Sequence, residues 1–229
     1  MNKISIVSLI IGILIFCATF IINAQTISVP SVANVGNSVK YDIKLHDRAE
    51  KWADSVMTTL SVRDRVAQLF VPRLDITNNS AGFKAIDRVV VKDKMGGFLL
   101  GKGTIASYAD LINYSQEKAD VPLMITLDGE WGLSMRVSGT PRFPYNVALG
   151  ACADNDLLYE YGKEMARECK LMGIQVNFAP DIDVNSNPDN PVIGYRSFGE
   201  DPDLVAQLGA AYSKGMCCLL YTSPSPRDS

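Results

Sequence analysis

A single histidine, His46, stands in the 229 residues, so any histidine triad or imidazole-ligated metal site would have to be built on it. Its setting, Lys44-Leu45-His46-Asp47-Arg48, reads as the entry to a solvated helix. Histidine chemistry is not expected. A basic surplus is lacking too: 22 Lys and Arg against 25 Asp and Glu give a formal charge of −3, which excludes nucleic-acid binding by bulk electrostatics. The 11 prolines and 17 glycines show no low-complexity bias. With 47% hydrophobic and 21% charged residues, the composition is that of a folded chain rather than a disordered one. Cysteine is sparse. Cys17, Cys217 and Cys218 lie near the ends, which leaves Cys152 and Cys169. These two are either a disulfide formed in an oxidising compartment or a pair of free thiols.

Both ends differ from the middle. Lys3 precedes an apolar run over 4–22, interrupted only by Ser5, Ser8, Gly12 and Thr19, and Asn23-Ala24-Gln25 follows. This is the pattern of a secretory signal over 1–24, cleaved after Ala24. Its length also matches the roughly 20 residues of an uncleaved membrane anchor. Cys17 follows the bulky Phe16 and does not read as a lipidation site. At the other end, helical periodicity runs to Met216, and 217–229 (CCLLYTSPSPRDS) has neither period nor partner element. The segment 218–228 resembles the translation of a transposon-end adapter used in sequencing-library preparation. The alternative is a flexible Pro/Ser tail.

Between the ends, 25–46 is a polar lead expected to be a linker or a strap lying on the domain. Helices are expected over 47–60, in a short segment capped by Ser61 with Asp64 in its first turn, over 81–92 and over 105–118. Buried strands are expected at Leu69-Phe70-Val71, at 96–100, at 122–127 and at 174–178. From Asp156 the apolar positions Leu158, Tyr161, Met165, Cys169 and Met172 trace one helix face that Gly173 ends. Asp201-Pro202 opens the last helix, with a carboxylate cap and a proline where no amide partner is needed. Four strands alternating with helices give an α/β chain of about four parallel β/α units.

Ligands in such folds sit at the carboxyl ends of the strands. The residues placed there are Arg73 and Asp75, Gly101 and Lys102, Asp128 and Glu130, and Asp181, Asp183 and Asn185. Two motifs among them mislead. Gly96-x-x-x-x-Gly101-Lys102 imitates a phosphate loop, but Gly103 takes the Ser/Thr position and the would-be loop is itself an apolar strand. Asp181-x-Asp183-x-Asn185 begins like a calcium loop, yet Ser186 replaces its glycine and Val192 its closing Glu. A structural network of carboxylate and amide side chains fits that stretch better, and no metal is expected.

Four motifs then occur in order: Asp128-Gly129-Glu130-Trp131-Gly132 with Met135-Arg136; Arg142-Phe143-Pro144; the stretch 173–185 (GIQVNFAPDIDVN); and the stretch 190–199 (NPVIGYRSFG). Together they resemble the amino-terminal domain of glycoside hydrolase family 3, over about 47–216, although the family usually has a second glycine where this chain has Trp131. The resemblance implies the amino-terminal part of a (β/α)8 TIM barrel. It implies an enzyme that hydrolyses terminal non-reducing β-linked sugars by a retaining mechanism, and the signal pattern over 1–24 makes the expected location exported, periplasmic or extracellular. The activity implied is β-N-acetylhexosaminidase-like, with β-glucosidase specificity or a non-catalytic carbohydrate-binding module as alternatives. No cofactor is implied, the partner is a carbohydrate, and membrane contact arises only through an uncleaved first segment. Asp128, Arg136 and Arg196 are the implied substrate-binding residues. For Arg196 the competing reading is a salt bridge to Glu200 or Asp181; for Asp128 it is a structural role, and Glu130 divides between packing and site. The family's nucleophile and acid/base residues match no position before Met216, so no catalytic residue is assigned.

Overall fold

A computed structural model describes residues 43–220. The expected signal segment over 1–24, most of the expected linker and residues 221–229 lie outside the described residues. The chain divides into two compact units, one ending at Ser61 and the other beginning at Val62. In the first, helix α1 spans Ile43–Thr59, so the last residues assigned to the linker are helical. The reason is local: no proline or glycine lies between Gly36 and Leu60, and the helix extends backwards without a breaker.

The second unit opens with α2 (Val62–Ala67), which carries Asp64 in its first turn. The strand expected at Leu69-Phe70-Val71 is not there. Leu69 N–H donates to Val66 O at 3.1 Å and Phe70 N–H to Ala67 O at 3.0 Å, so the run turns away from the helix end. Strand β1 is instead Arg73–Leu74. Pro72 has no N–H to give a ladder; its carbonyl accepts Leu99 N–H at 2.9 Å and pairing begins beyond it.

Strands β2 (Gly97–Leu100), β4 (Met124–Leu127) and β6 (Val176–Asn177) complete a four-stranded sheet in the order β1-β2-β4-β6. Every pair is parallel, with Leu74 opposite Leu100, Phe98 opposite Ile125 and Thr126 opposite Val176. A parallel ribbon of β3 (Gly103–Thr104) and β5 (Val137–Ser138) stands apart. Helix α3 (Ser80–Ile86), continued by a π turn over Asp87–Lys92, connects β1 to β2. Helix α4 (Ile105–Lys118) leads to β4 and α6 (Asn155–Leu171) to β6. A strand order that follows the chain, with a helix in each crossover, is the arrangement of successive units in a (β/α)8 barrel.

Each long crossover helix begins on a side-chain cap. Thr104 and Ser107 form a reciprocal capping box at α4, and Asp154 accepts the amides of Asp156 and Leu157 at α6. Gly173, at φ +71°, ends α6 as the periodicity predicts. Helix α5 (Asn146–Cys152) has no counterpart in the sequence reading. Helix α7 (Pro202–Leu220) starts at the expected Asp201, whose Oδ1 accepts Asp203 N–H at 2.9 Å. It does not stop at Met216 but carries on through Cys217 to Leu220; no helix breaker occurs before Pro224.

The strands supply one core: Phe98, Leu100, Ile125 and Leu127 are fully buried with Ile86, Tyr108 and Leu111 from the helices. A second core joins α6 to α7 through Leu158, Met165, Leu208 and Tyr212. The crossing is set by two glycines. A Cβ on Gly162 would stand 2.2 Å from Tyr212 O, and one on Gly215 would stand 2.0 Å from Tyr159 O. Cys152 is exposed and Cys169 buried, and both are free thiols; burial pushes the Cys169 thiol up to about 12. Among the described residues no helix is long and apolar enough to cross a membrane.

Candidate functional site

The carboxyl ends of the sheet strands carry a cluster of guanidinium and carboxylate groups. At the end of β1, Arg73 Nε donates to Asp75 Oδ2 at 2.9 Å and Nη2 to Oδ1 at 2.9 Å. The Asp75 carboxylate lies over Gly101 at the end of β2, where a Cβ would be 2.1 Å from Oδ1. Gly101 N–H donates to Leu74 O at 3.0 Å and Tyr108 hydroxyl donates to Gly101 O at 2.6 Å. The glycine that imitates a phosphate loop therefore belongs to the ladder.

Beyond β4, Asp128 Oδ2 accepts Arg136 Nη2, with the two side chains 33% and 16% exposed. Among the described residues Asp128 Oδ1 has no protein donor, so it can accept from a bound hydroxyl. Asn177, on β6, fixes the peptide that follows. Its Oδ1 accepts Gly129 N–H at 2.9 Å and its Nδ2 donates to Gly129 O at 3.2 Å. Position and direction of Asp128 thus depend on the neighbouring strand.

Arg196 is held harder still. Nε donates to Glu130 Oε2 at 2.8 Å and Nη2 to Glu130 Oε1 at 2.6 Å, a two-pronged pair with Glu130 almost fully buried. Asp181 Oδ2 lies 3.2 Å from Nη2, an ion-pair distance without a hydrogen bond. The Glu130 carboxylate raises the guanidinium above its ordinary range. Burial raises the Asp181 carboxyl above the usual carboxylate range, opposed by Asp183 N–H and by Arg196. Of the two salt-bridge partners expected for Arg196, Asp181 is present and Glu200 is not; Glu130 takes that place. Asp183 N–H donates to Asp181 Oδ1 at 2.9 Å, so the stretch that imitates a calcium loop is a turn whose first carboxylate faces a guanidinium.

The backbone of Arg196 is pinned from two sides. Asn146 Nδ2, on α5, donates to Arg196 O at 2.7 Å. The Ser197 hydroxyl lies 2.6 Å from Asp183 O and accepts Gly199 N–H at 3.1 Å. Asn146, Asn177 and Ser197 carry the geometry, yet no sequence signal marks Asn146, and Asn177 and Ser197 are each visible only as one letter of a motif. Of the expected binding residues, Asp128 and Arg136 are brought into direct contact, and Arg196 stands beside them through Glu130. Asp128 is also close enough to reinforce the charges of Arg73 and Arg196.

Chemically the cluster pairs acceptor-only carboxylates with donor-only guanidiniums. Such a floor suits a ligand rich in hydroxyl groups, each of which can donate to one and accept from the other. Trp131, Tyr145 and Tyr195 stand beside it, with ring centroids 4.9 Å apart for Trp131–Tyr145 and 4.5 Å for Tyr145–Tyr195.

Residues 61–218 match the glycosyl hydrolase family 3 N terminal domain. The chain is 33% identical over 142 residues to β-hexosaminidase A of Pseudoalteromonas piscicida, covering 56% of this chain and 24% of that protein. It is 29% identical to the β-N-acetylglucosaminidase/β-glucosidase of Cellulomonas fimi, covering 73% and 29%. A family 3 β-N-acetylglucosaminidase structure from Paenibacillus superposes with a TM-score of 0.61 at 32% identity, covering 70% of this chain and 31% of that one. The chain spans well under half the length of these relatives.

Proposed function

The chain belongs to glycosyl hydrolase family 3, whose N-terminal domain it carries, and on that premise we propose that its strand-end cluster binds the terminal non-reducing sugar of a β-linked glycan. The observation that carries this reading is the pairing of Asp128 with Arg136 beside that of Glu130 with Arg196. Asp128 Oδ1 accepts from a sugar hydroxyl while the guanidinium forks supply directional donors. The reaction served is retaining hydrolysis of terminal β-N-acetylhexosaminides, which the names of the relatives support; the Cellulomonas fimi name supports a β-glucosidase alternative.

Within this chain the cluster binds rather than reacts. Retaining hydrolysis needs an ionised nucleophile and a protonated acid on opposite sides of the scissile bond. Asp128, Glu130 and Asp181 each pair with a guanidinium inside the protein, which suits them to holding a ligand in place. Export rests on the residues of 1–24 alone: a lysine, an apolar run and a small residue at the cleavage point.

Calorimetric titration of the 229-residue chain with N-acetylglucosamine and with glucose tests the reading. Binding that Asp128→Ala weakens about tenfold or more, at an unchanged melting midpoint, is expected from the loss of a charge-assisted bond of about 1.5–3 kcal/mol. Equal affinity in the variant would remove Asp128 from the site.

A further inference from the structure

Arg196 is anchored at its guanidinium by Glu130, but its backbone runs through a segment with neither strand nor α-helix. Residues 190–199 hold one 3-10 turn, Gly194–Arg196, in which Gly194 takes φ +38°. That segment lies along α5, the helix without a counterpart in the sequence reading. The Tyr145 ring, one residue ahead of α5, is 4.5 Å from the Tyr195 ring. Asn146 Nδ2 donates to Arg196 O at 2.7 Å, and a Cβ on Gly150 would stand 1.6 Å from Phe198 O. Asn146 and Gly150 are both buried, and their spacing of four residues puts them on one helix face. Three contacts thus seat 195–198 on α5 in a single register.

An arginine side chain is long and flexible, so a fork fixed at its far end alone lets the guanidinium pivot whenever the backbone shifts. Glu130 occupies Nε and Nη2, and Nη1 donates to Val192 O at 3.4 Å. The few N–H groups left for a ligand point in a defined direction only while both ends of the side chain are held. Asn146 suits that task better than it suits plain stabilisation. Its side chain is fully buried, yet among the described residues its Oδ1 has no hydrogen-bond partner. A buried amide satisfied at one end only forfeits part of what a complete pair would contribute; what it supplies is direction. We propose that Asn146 is a positioning residue, which through the Arg196 carbonyl aims the remaining guanidinium donors at the sugar. The sugar rests on the binding reading above; the aim of Arg196 rests on this geometry alone.

The test uses the whole chain and two substitutions. Asn146→Ala removes the donor outright. Asn146→Asp puts a carboxylate oxygen in its place, and the protonated form, which burial favours, donates again. N-acetylglucosamine affinity is measured by calorimetry at about pH 7 and about pH 5, each variant against the unsubstituted chain at the same pH. The Arg196 Nε–H resonance, identified by its loss in Arg196→Lys, is followed in parallel by NMR. Asn146→Ala is expected to weaken the sugar about tenfold at both pH values and to displace the resonance. Asn146→Asp should do so at the higher pH and return towards native affinity and native resonance at the lower. An Asn146→Ala variant with native affinity and resonance would overturn the proposal. So would an Asn146→Asp variant equally impaired at both pH values, because lost packing, unlike a lost donor, is not restored by a proton. If the unsubstituted chain binds no sugar, the binding reading falls; a displaced Arg196 resonance would then still uphold the positioning, and an undisplaced one would overturn it.

Discussion

Arg196 closes a two-pronged bond with Glu130 across 66 residues of sequence, at 2.8 Å and 2.6 Å. The fork is planar and rigid, so it fixes direction as well as charge. Around it the remaining donors of Arg196 are aimed, and Asp181 supplies a second carboxylate.

Replacing Arg196 by Lys keeps the charge and loses the fork. A point-like ammonium cannot satisfy both Glu130 oxygens in the same geometry, and about 1.5–3 kcal/mol of charge-assisted bonding is at stake. The expected outcome is about a tenfold loss of sugar affinity by calorimetry together with a lowered urea midpoint. A variant with native affinity would show that charge alone suffices there.

Little of that pairing is legible in the sequence. The helices at 105–118 and 155–171 are legible, because capping residues and an apolar face of helical spacing lie within one short window. Leu69-Phe70-Val71 misleads because an apolar run without alternation carries no face, and the missing amide of Pro72 moves pairing on to Arg73. Glu130 is placed at a strand end and Arg196 in a motif, but nothing in the sequence pairs the two. Only the parallel closure of β4 against β6 brings their loops together, and the sequence names no partner across such a distance.

Glu168 gives a pH-dependent prediction. It is 5% exposed on α6, neither carboxylate oxygen has a hydrogen-bond partner, and burial followed by repulsion from Glu164 raises its carboxyl above the usual range. The protonated form is favoured in the folded chain, so the stability it confers is present below the unfolded-state value and lost as pH climbs through the raised folded value. Glu168→Gln, which keeps the shape and cannot ionise, should flatten that decline and raise stability at neutral pH relative to the unsubstituted chain. Urea midpoints for both chains between about pH 4 and 8, scanned at roughly unit intervals, decide it; parallel curves would refute it.

At the crossing of α6 and α7, Gly162→Ala should cost about 1–3 kcal/mol through overpacking against the Tyr212 carbonyl. Lys163→Ala is the control: it changes the next residue of the same helix, where the side chain is solvent-facing and loses only a surface ion pair with Glu160. Thermal melts of the two variants beside the unsubstituted chain give the comparison. Equal melts would mean that the helices can part without loss.

No hydrolysis is expected from the 229-residue chain. Asp128 pairs with Arg136, and Glu130 and Asp181 with Arg196, so all three carboxyl groups are turned onto guanidiniums within the protein. None is placed as the separate nucleophile and acid that retaining hydrolysis requires. Nitrophenol release from an aryl β-N-acetylglucosaminide above background, abolished by Asp128→Ala, would contradict this.

The Asn177 side chain spans the gap between β6 and Gly129 with one bond in each direction. A carboxylate in one unit is thereby aimed by an amide in the next, so the pocket has no geometry until the later unit has docked. Occupancy and docking become a single equilibrium: whatever sugar prefers the aimed carboxylate also pulls β6 onto the sheet, and slowed amide exchange along Val176 and Asn177 would be the trace that a ligand leaves at a strand it never touches.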